Sequence, residues 1–168
     1  MAVKPDRGGE ATGQSAPLRP VVEFALDSQR YALPLETVEQ VLAMVLVSPL
    51  PQAPDMVVGV INFHGVLLPV LDIRSRFGLP PRTWGPRTQL MVVRPGPYRL
   101  VLPVDQVSGV SRVSVDPIPP EALIYPGVGP LAGIVRLPDE LLFLCDVEAF
   151  LSLDEARQLA AALKEMNP

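Results

Sequence analysis

Short apolar runs, separated by proline, glycine and small polar clusters, recur along the chain after Pro20. Runs of this length between such breakers read as strands rather than helices. Val21–Leu26 is the first; Asp27-Ser28-Gln29-Arg30 supplies a turn before Tyr31-Ala32-Leu33 resumes the strand. Glu36–Glu39 predicts a short turn or helical element, and Val41–Val47 a further apolar run, closed by the Pro49, Pro51 and Pro54 cluster. Val57–Ile61 and Val66–Leu71 form a hairpin across Asn62-Phe63-His64-Gly65. Asp72 is placed to cap a short helix through Phe77, with Gly78 as its stop. Residues 78 to 87 then form a surface connection. Gln89–Val93 with Tyr98–Leu102, and Leu131–Leu137 with Glu140–Cys145, predict two more hairpins, and Val107–Val115 a strand between them. Helical spacing returns in Leu153, Ala156, Leu159, Ala160 and Leu163, after the candidate cap Ser152, and predicts a C-terminal surface helix resting on that face.

The pattern repeats. Gly59-Val60-Ile61 with Leu67–Asp72 is echoed by Gly133-Ile134-Val135 with Leu141–Asp146, at an offset of 74 residues. A fainter echo at 69 residues aligns Val38 with Val107 and Val41 with Val110. Two related halves of about five short strands each, sharing one core, follow from this. The expected fold is mainly β: two small five-stranded barrels around a common hydrophobic centre, with short helices and a C-terminal helix. The domain limits are a disordered tail at 1–20, intertwined barrel halves at 21–151, and a helix and tail at 152–168. Asp72 and Asp146, ending equivalent strands, are read as structural residues.

Composition supports many short strands, since 21 prolines in 168 residues suit tight connections and oppose long helices. A net charge of −4 argues against a nucleic-acid footprint. Arg74, Arg76, Arg82 and Arg87 lack interleaved aromatics and read as a solvated face. No stretch approaches the roughly 18 apolar residues of a membrane span, and no apolar secretory core opens the chain, so a cytoplasmic protein is expected. Cys145, the single cysteine, sits in an apolar run and reads as a buried free thiol.

Catalytic chemistry is thin. With His64 the only histidine, no His/Cys metal set forms, and nothing calls for a cofactor. Ser48, His64 and Asp72 make a triad only on paper, without a nucleophile elbow. Gly127-Val128-Gly129 lacks the lysine and spacing of a phosphate loop. The adjacent carboxylates Asp139-Glu140 and Asp154-Glu155 read as solvent-facing. Val38, Val58, Val60 and Phe63 offer apolar contact if exposed, although core packing is the simpler role for at least half of them.

The blocks Gly59-Val60-Ile61-Asn62-Phe63-His64-Gly65 and Pro69-Val70-Leu71-Asp72-Ile73-Arg74 resemble the CheW-like domain family, with support from Tyr31–Leu35, Val101–Val107 and Gly133–Leu151. The resemblance implies two SH3-like five-stranded barrels and a non-catalytic adaptor. Such an adaptor joins the regulatory domain of a CheA-like histidine kinase at one barrel edge to the cytoplasmic tip of a chemoreceptor in the groove between halves. It implies no nucleic acid, no direct membrane insertion, and association with receptor arrays only through partners. Receptor-groove positions carry over to Val38, Gly59 and the turn Asn62, Phe63, His64 and Gly65. Two residues depart from the family pattern: Gln40 stands where a glutamate is usual and His64 where an arginine is usual. The resemblance thus predicts an altered receptor specificity at Gln40 and His64, with no permanent positive charge at His64. The residues also leave open a scaffold in a non-chemotactic signalling complex, or a small-ligand-binding or enzymatic β domain built around a polar pocket.

Overall fold

The structure is a computed structural model and describes residues 17–117 and 131–166. Most of the tail expected at 1–20, and the Gly127-Val128-Gly129 loop, lie outside the described residues. Ten strands are described: β1 (Leu18–Leu26), β2 (Gln29–Pro34), β3 (Val38–Ala43), β4 (Val57–Phe63), β5 (Val66–Leu71), β6 (Gln89–Val93), β7 (Leu100–Val104), β8 (Gln106–Ser114), β9 (Leu131–Arg136) and β10 (Leu141–Cys145). Three 3-10 turns, at Leu35–Thr37, Ile73–Phe77 and Val147–Phe150, and one helix, α1 (Leu153–Met166), are the other elements of the described residues. β1 begins inside the expected tail, because Leu18, Arg19 and Pro20 already pair with Ser114, Val113 and Arg112 of β8.

The strands form two five-stranded sheets, ordered β8-β1-β2-β10-β9 and β3-β6-β7-β5-β4. The two orders are the same under the repeat: β1 to β5 of the first half correspond to β6 to β10 of the second. Each sheet contains one parallel pair in equivalent places, β2 with β10 and β5 with β7. The halves nonetheless do not fold as separate barrels. The first sheet draws β1 and β2 from the first half and the rest from the second, while the other sheet holds β3 to β5 with β6 and β7. Strand exchange makes the two barrels interdependent.

A single bridge closes each sheet across its edges. Ser48, beyond β3, pairs with Val60 of β4; Asp116, beyond β8, pairs with Ile134 of β9. The repeated glycines explain why these seams close. A Cβ on Gly59 would lie 2.2 Å from the Ser48 carbonyl oxygen, and one on Gly133 would lie 2.2 Å from Val115 Cγ1. Glycine is the residue that permits two backbones to come this close.

Both faces of many strands are buried, which accounts for apolar runs without polar alternation. In β7, Leu100, Leu102 and Val104 face a large core shared by the barrels, whereas Val101 faces the interior of its own barrel. β6 divides likewise, with Met91 and Val93 in the shared core and Leu90 and Val92 in the barrel. Tyr31, Phe77, Phe24 and Phe150 form an aromatic centre, with Tyr31 and Phe77 ring centroids 4.5 Å apart. Burial raises the Tyr31 hydroxyl pKa.

The Asp72 expectation is met in detail: its Oδ1 accepts the Arg74 N–H at 3.1 Å, and Gly78 stops the turn in the left-handed region at φ 68°. Asp146 departs from its repeat partner, since its side chain makes no cap hydrogen bond; its backbone carbonyl accepts from the Ala149 N–H instead. α1 is rotated from the expected face. Leu159 and Ala162 are buried with Leu163 half-buried, while Leu153, Ala156 and Ala160 face solvent. The helix start holds a reciprocal capping box, Glu155 N–H to Ser152 Oγ at 3.1 Å and Ser152 N–H to Glu155 Oε1 at 3.0 Å. Glu155 is therefore a capping residue that also pairs with Arg76, and this corrects its reading as a free surface carboxylate. The Ser152 amide, then the Ser152 hydroxyl and Arg76, hold its carboxyl below the usual range.

Arg74 corrects the reading of the four arginines as one solvated face. Only 3% of its side chain is exposed, and it donates to Asp27 Oδ1 at 2.8 Å and Asp105 Oδ1 at 2.6 Å. Arg82 touches the same carboxylates from outside, at 3.3 and 3.2 Å. Asp27 occupies the β1–β2 turn and Asp105 the β7–β8 junction, so this network pins one barrel to the other.

Candidate partner-binding surfaces

β3 and the β4–β5 hairpin position every residue singled out as a partner contact. The hairpin loop is His64-Gly65 between the paired residues Phe63 and Val66. Both loop residues have positive φ, 52° and 85°, as the favoured two-residue hairpin turn requires. Asn62 Oδ1 accepts the Gly65 N–H at 2.8 Å, a local bond that fixes the turn. The sequence places Asn and Gly correctly here, but His64, rather than a second glycine, takes the strained first position.

These candidates do not share one exposed surface. Gln40, Asn62, His64 and Gly65 are exposed, and Val38 is half-buried. Gly59 and Phe63 are buried, Gly59 at the seam and Phe63 in the core of its barrel. Val60 is in the core shared by the barrels and Val58 is half-buried against the cluster that holds Phe63, so core packing claims much of the proposed apolar contact group. No side-chain hydrogen bond joins Gln40 to His64 among the described residues; the His64 ring lies against Phe63, centroids 4.4 Å apart.

Two residues overlooked in the sequence complete this end of the barrel. β3 carries a bulge between Val38 and Gln40, which leaves Glu39 as the extra residue in the pairing with β6. Arg99, just before β7, donates from Nε to Glu39 Oε1 at 3.1 Å, and its guanidinium lies 5.9 Å from the centre of the Phe63 ring. Arg99 follows a proline-rich turn and lies 60 residues from Glu39. The β3–β6 and β6–β7 pairings bring the two together.

Beside the middle and turn-proximal part of β4, a groove of about 310 Å³ runs along the closed seam. Val45, Leu46, Val60, Leu67 and Met166 form its apolar lining, with Asn62 at a polar edge. Leu46 is 85% exposed, the most exposed large apolar side chain among the described residues. The groove lies between a barrel seam and the end of α1, and of the candidate contacts it includes Asn62 and the buried Val60.

The paper triad does not assemble: the Asp72 carboxylate caps a turn, and no side-chain hydrogen bond among the described residues links it with Ser48 or His64. Cys145 is the buried free thiol expected, its pKa pushed upward by burial. No described helix is long and apolar enough to cross a membrane.

Comparison with known proteins agrees with this architecture. The chain is 28% identical over 149 residues to the chemotaxis protein CheW of Klebsiella aerogenes, covering 88% of this chain and 87% of that one. It is 36% identical over 117 residues to protein FrzA of Myxococcus xanthus, covering 69% and 72%. The crystal structure of the scaffolding protein TtCheW from Thermoanaerobacter tengcongensis shares the fold, with a TM-score of 0.73 at 24% identity, over 83% of this chain and 95% of that one. The CheW-like domain pattern itself matches residues 20–155. With that match spanning most of the two-barrel body, the chain belongs to the CheW-like domain family.

Proposed function

We propose that this protein is a non-catalytic scaffold that couples a chemoreceptor to a CheA-type histidine kinase. The observation that carries the reading is the match over residues 20–155 to a family whose relatives include chemotaxis proteins CheW. The physical form suits the task. Two barrels that exchange strands and share one core make a rigid body, and a rigid body with two outward surfaces holds two partners at high effective concentration without chemistry. The receptor side is assigned to Val38, Gln40, Asn62, His64 and Gly65, with Gly59 and Phe63 supporting them from inside. The kinase side is assigned to a barrel edge. The working location is the cytoplasm, beside membrane receptors held through the partner.

The test is direct binding. The purified chain is titrated separately with the regulatory domain of a CheA-type kinase and with the cytoplasmic hairpin of a chemoreceptor, both from the genome that encodes it. Saturable binding to each, and a ternary complex when all three are mixed, is expected. Failure to bind either partner, in a preparation that melts cooperatively, overturns the proposal.

A further inference from the structure

The exposed end of the β3–β7 barrel carries a charged group that the predicted contact set omits. We infer that Arg99 is a partner-recognition residue of this surface, held ready by Glu39 and Phe63 to bind a carboxylate on a partner helix. This rests on the scaffold reading above and names the chemistry that one of its surfaces selects.

The geometry supplies three reasons. Arg99 donates only its Nε among the described residues, to Glu39 at 3.1 Å. Its two terminal nitrogens keep four N–H donors, arranged as a fork that matches a carboxylate. The side chain is 30% exposed, so it remains accessible to a partner at the surface.

Second, the group is restrained before any partner arrives. The Glu39 carboxylate holds one edge of the guanidinium, and the Phe63 ring lies 5.9 Å beneath it. Restraint of a long side chain removes part of the ordering cost that binding otherwise incurs. Glu39 is a positioning residue here, and the β3 bulge is what leaves it at this place in the pairing with β6.

Third, the surroundings favour recognition. Phe63 lies between Arg99 and His64 in the contact chain: the His64 ring, at the tip of the exposed turn, is tilted against it with centroids 4.4 Å apart. At the two positions where the family pattern carries a glutamate and an arginine, this chain has Gln40 and His64. The Glu39–Arg99 pair restores an acid and a guanidinium one residue away on β3 and across the sheet. Arg99 thus places a permanent cation at this surface.

Binding of the full-length chain to the purified cytoplasmic hairpin of a chemoreceptor from the same genome, measured at low and high salt, tests this. Arg99→Gln is expected to weaken binding by about ten-fold or more and to flatten its salt dependence. The exchanged variant Glu39→Arg/Arg99→Glu keeps an internal ion pair yet presents a carboxylate outward, and it is expected to bind at least as weakly as Arg99→Gln. Wild-type affinity in Arg99→Gln, or recovery of affinity in the exchanged variant, overturns the inference and leaves the pair a structural one. Wild type that fails to bind the hairpin is a different result, because it removes the scaffold reading itself.

Discussion

Replacing Gly59 with alanine sets a Cβ 2.2 Å from the Ser48 carbonyl oxygen, 2.9 Å from its carbonyl carbon and 2.8 Å from Val47 Cγ1. Two of these three atoms are backbone, so the seam has to open; no rotamer change relieves the overlap. The seam is held by Ser48 N–H to Val60 O at 2.9 Å and Val60 N–H to Ser48 O at 2.8 Å. Weakening two such bonds costs about 1–2 kcal/mol in total, and overpacking adds about 1–3 kcal/mol. The stiffer unfolded chain offsets about 0.4–1 kcal/mol of that. A net loss of about 2–4 kcal/mol lowers Tm by on the order of 10 °C in a domain of this size. Gly133→Ala is the internal control. Its nearest obstacle is Val115 Cγ1 at 2.2 Å, a side-chain methyl that a rotamer change can move, and its nearest backbone atom is Asp116 O at 3.0 Å. A loss of about 1–2 kcal/mol follows for overpacking alone. Calorimetric melts and urea unfolding of both single variants in one buffer decide the matter. A Gly59→Ala protein that melts within 2 °C of wild type, roughly the effect of less than 1 kcal/mol, refutes the argument. So does a Gly133→Ala cost larger than that of Gly59→Ala.

Arg74→Met leaves Asp27 and Asp105 with the outer Arg82 as their one cationic partner among the described residues, and its expected cost is about 2–3 kcal/mol, the low side for a broken buried pair because both carboxylates are partly solvated; urea unfolding measures it. The Arg74 hydrogen bond, ahead of the other influences, holds the Asp27 carboxyl below its ordinary value. A depressed folded-state pKa gives stability that is present above about pH 4 and is lost as pH falls further. Arg74→Met therefore shows a shallower loss of stability than wild type between about pH 4 and pH 2, and an unchanged acid limb contradicts the role given to the pair. Ser152→Ala removes one arm of the capping box and costs about 1 kcal/mol, with amide exchange accelerated in the first turn of α1 and not in β7. Cys145 in the native protein reacts with a thiol reagent at pH 8 more slowly than a free thiol by a factor on the order of 100, and at the free-thiol rate in denaturant; native-state labelling at the free-thiol rate refutes its burial.

The strands were legible because their apolar runs are short and sharply bounded, and the repeat because glycine and aspartate stand at matching places in it. What the repeat could not reveal is which half each strand joins. Self-similarity is equally satisfied by two separate barrels and by two barrels that exchange β1 and β2 for β6 and β7, since equivalent strands carry equivalent patterns. The rotation of α1 was hidden for another reason: Leu153, Ala156 and Ala160 fit the helical period, but the shared core meets the helix at Leu159 and Ala162. Arg74 was misread because sequence shows a charge without its partners, and Asp27 and Asp105 are 47 and 31 residues away. At the candidate surface, the turn chemistry of Asn62 and Gly65 was visible, whereas Arg99 had no local signal and depends on strand register.

The burial of Gly59 also changes how a mutation there is to be understood. Gly59 precedes Val60, which is bonded to Ser48; Ile61 follows inside the barrel, and Asn62 then fixes the exposed turn through Gly65. A side chain added at Gly59 pushes on the seam first and reaches the turn only by moving β4. Loss of partner binding in such a variant therefore reports a displaced surface and identifies no contact at Gly59. Contacts are separated from supports by substitutions that leave the seam untouched, at Gln40, His64 and Arg99. Those three side chains project from three different segments, β3, the β4–β5 turn and the start of β7. The surface they define exists only when the barrel is closed. That dependence is why the seam glycine and the recognition residues belong to one physical unit although they do different things.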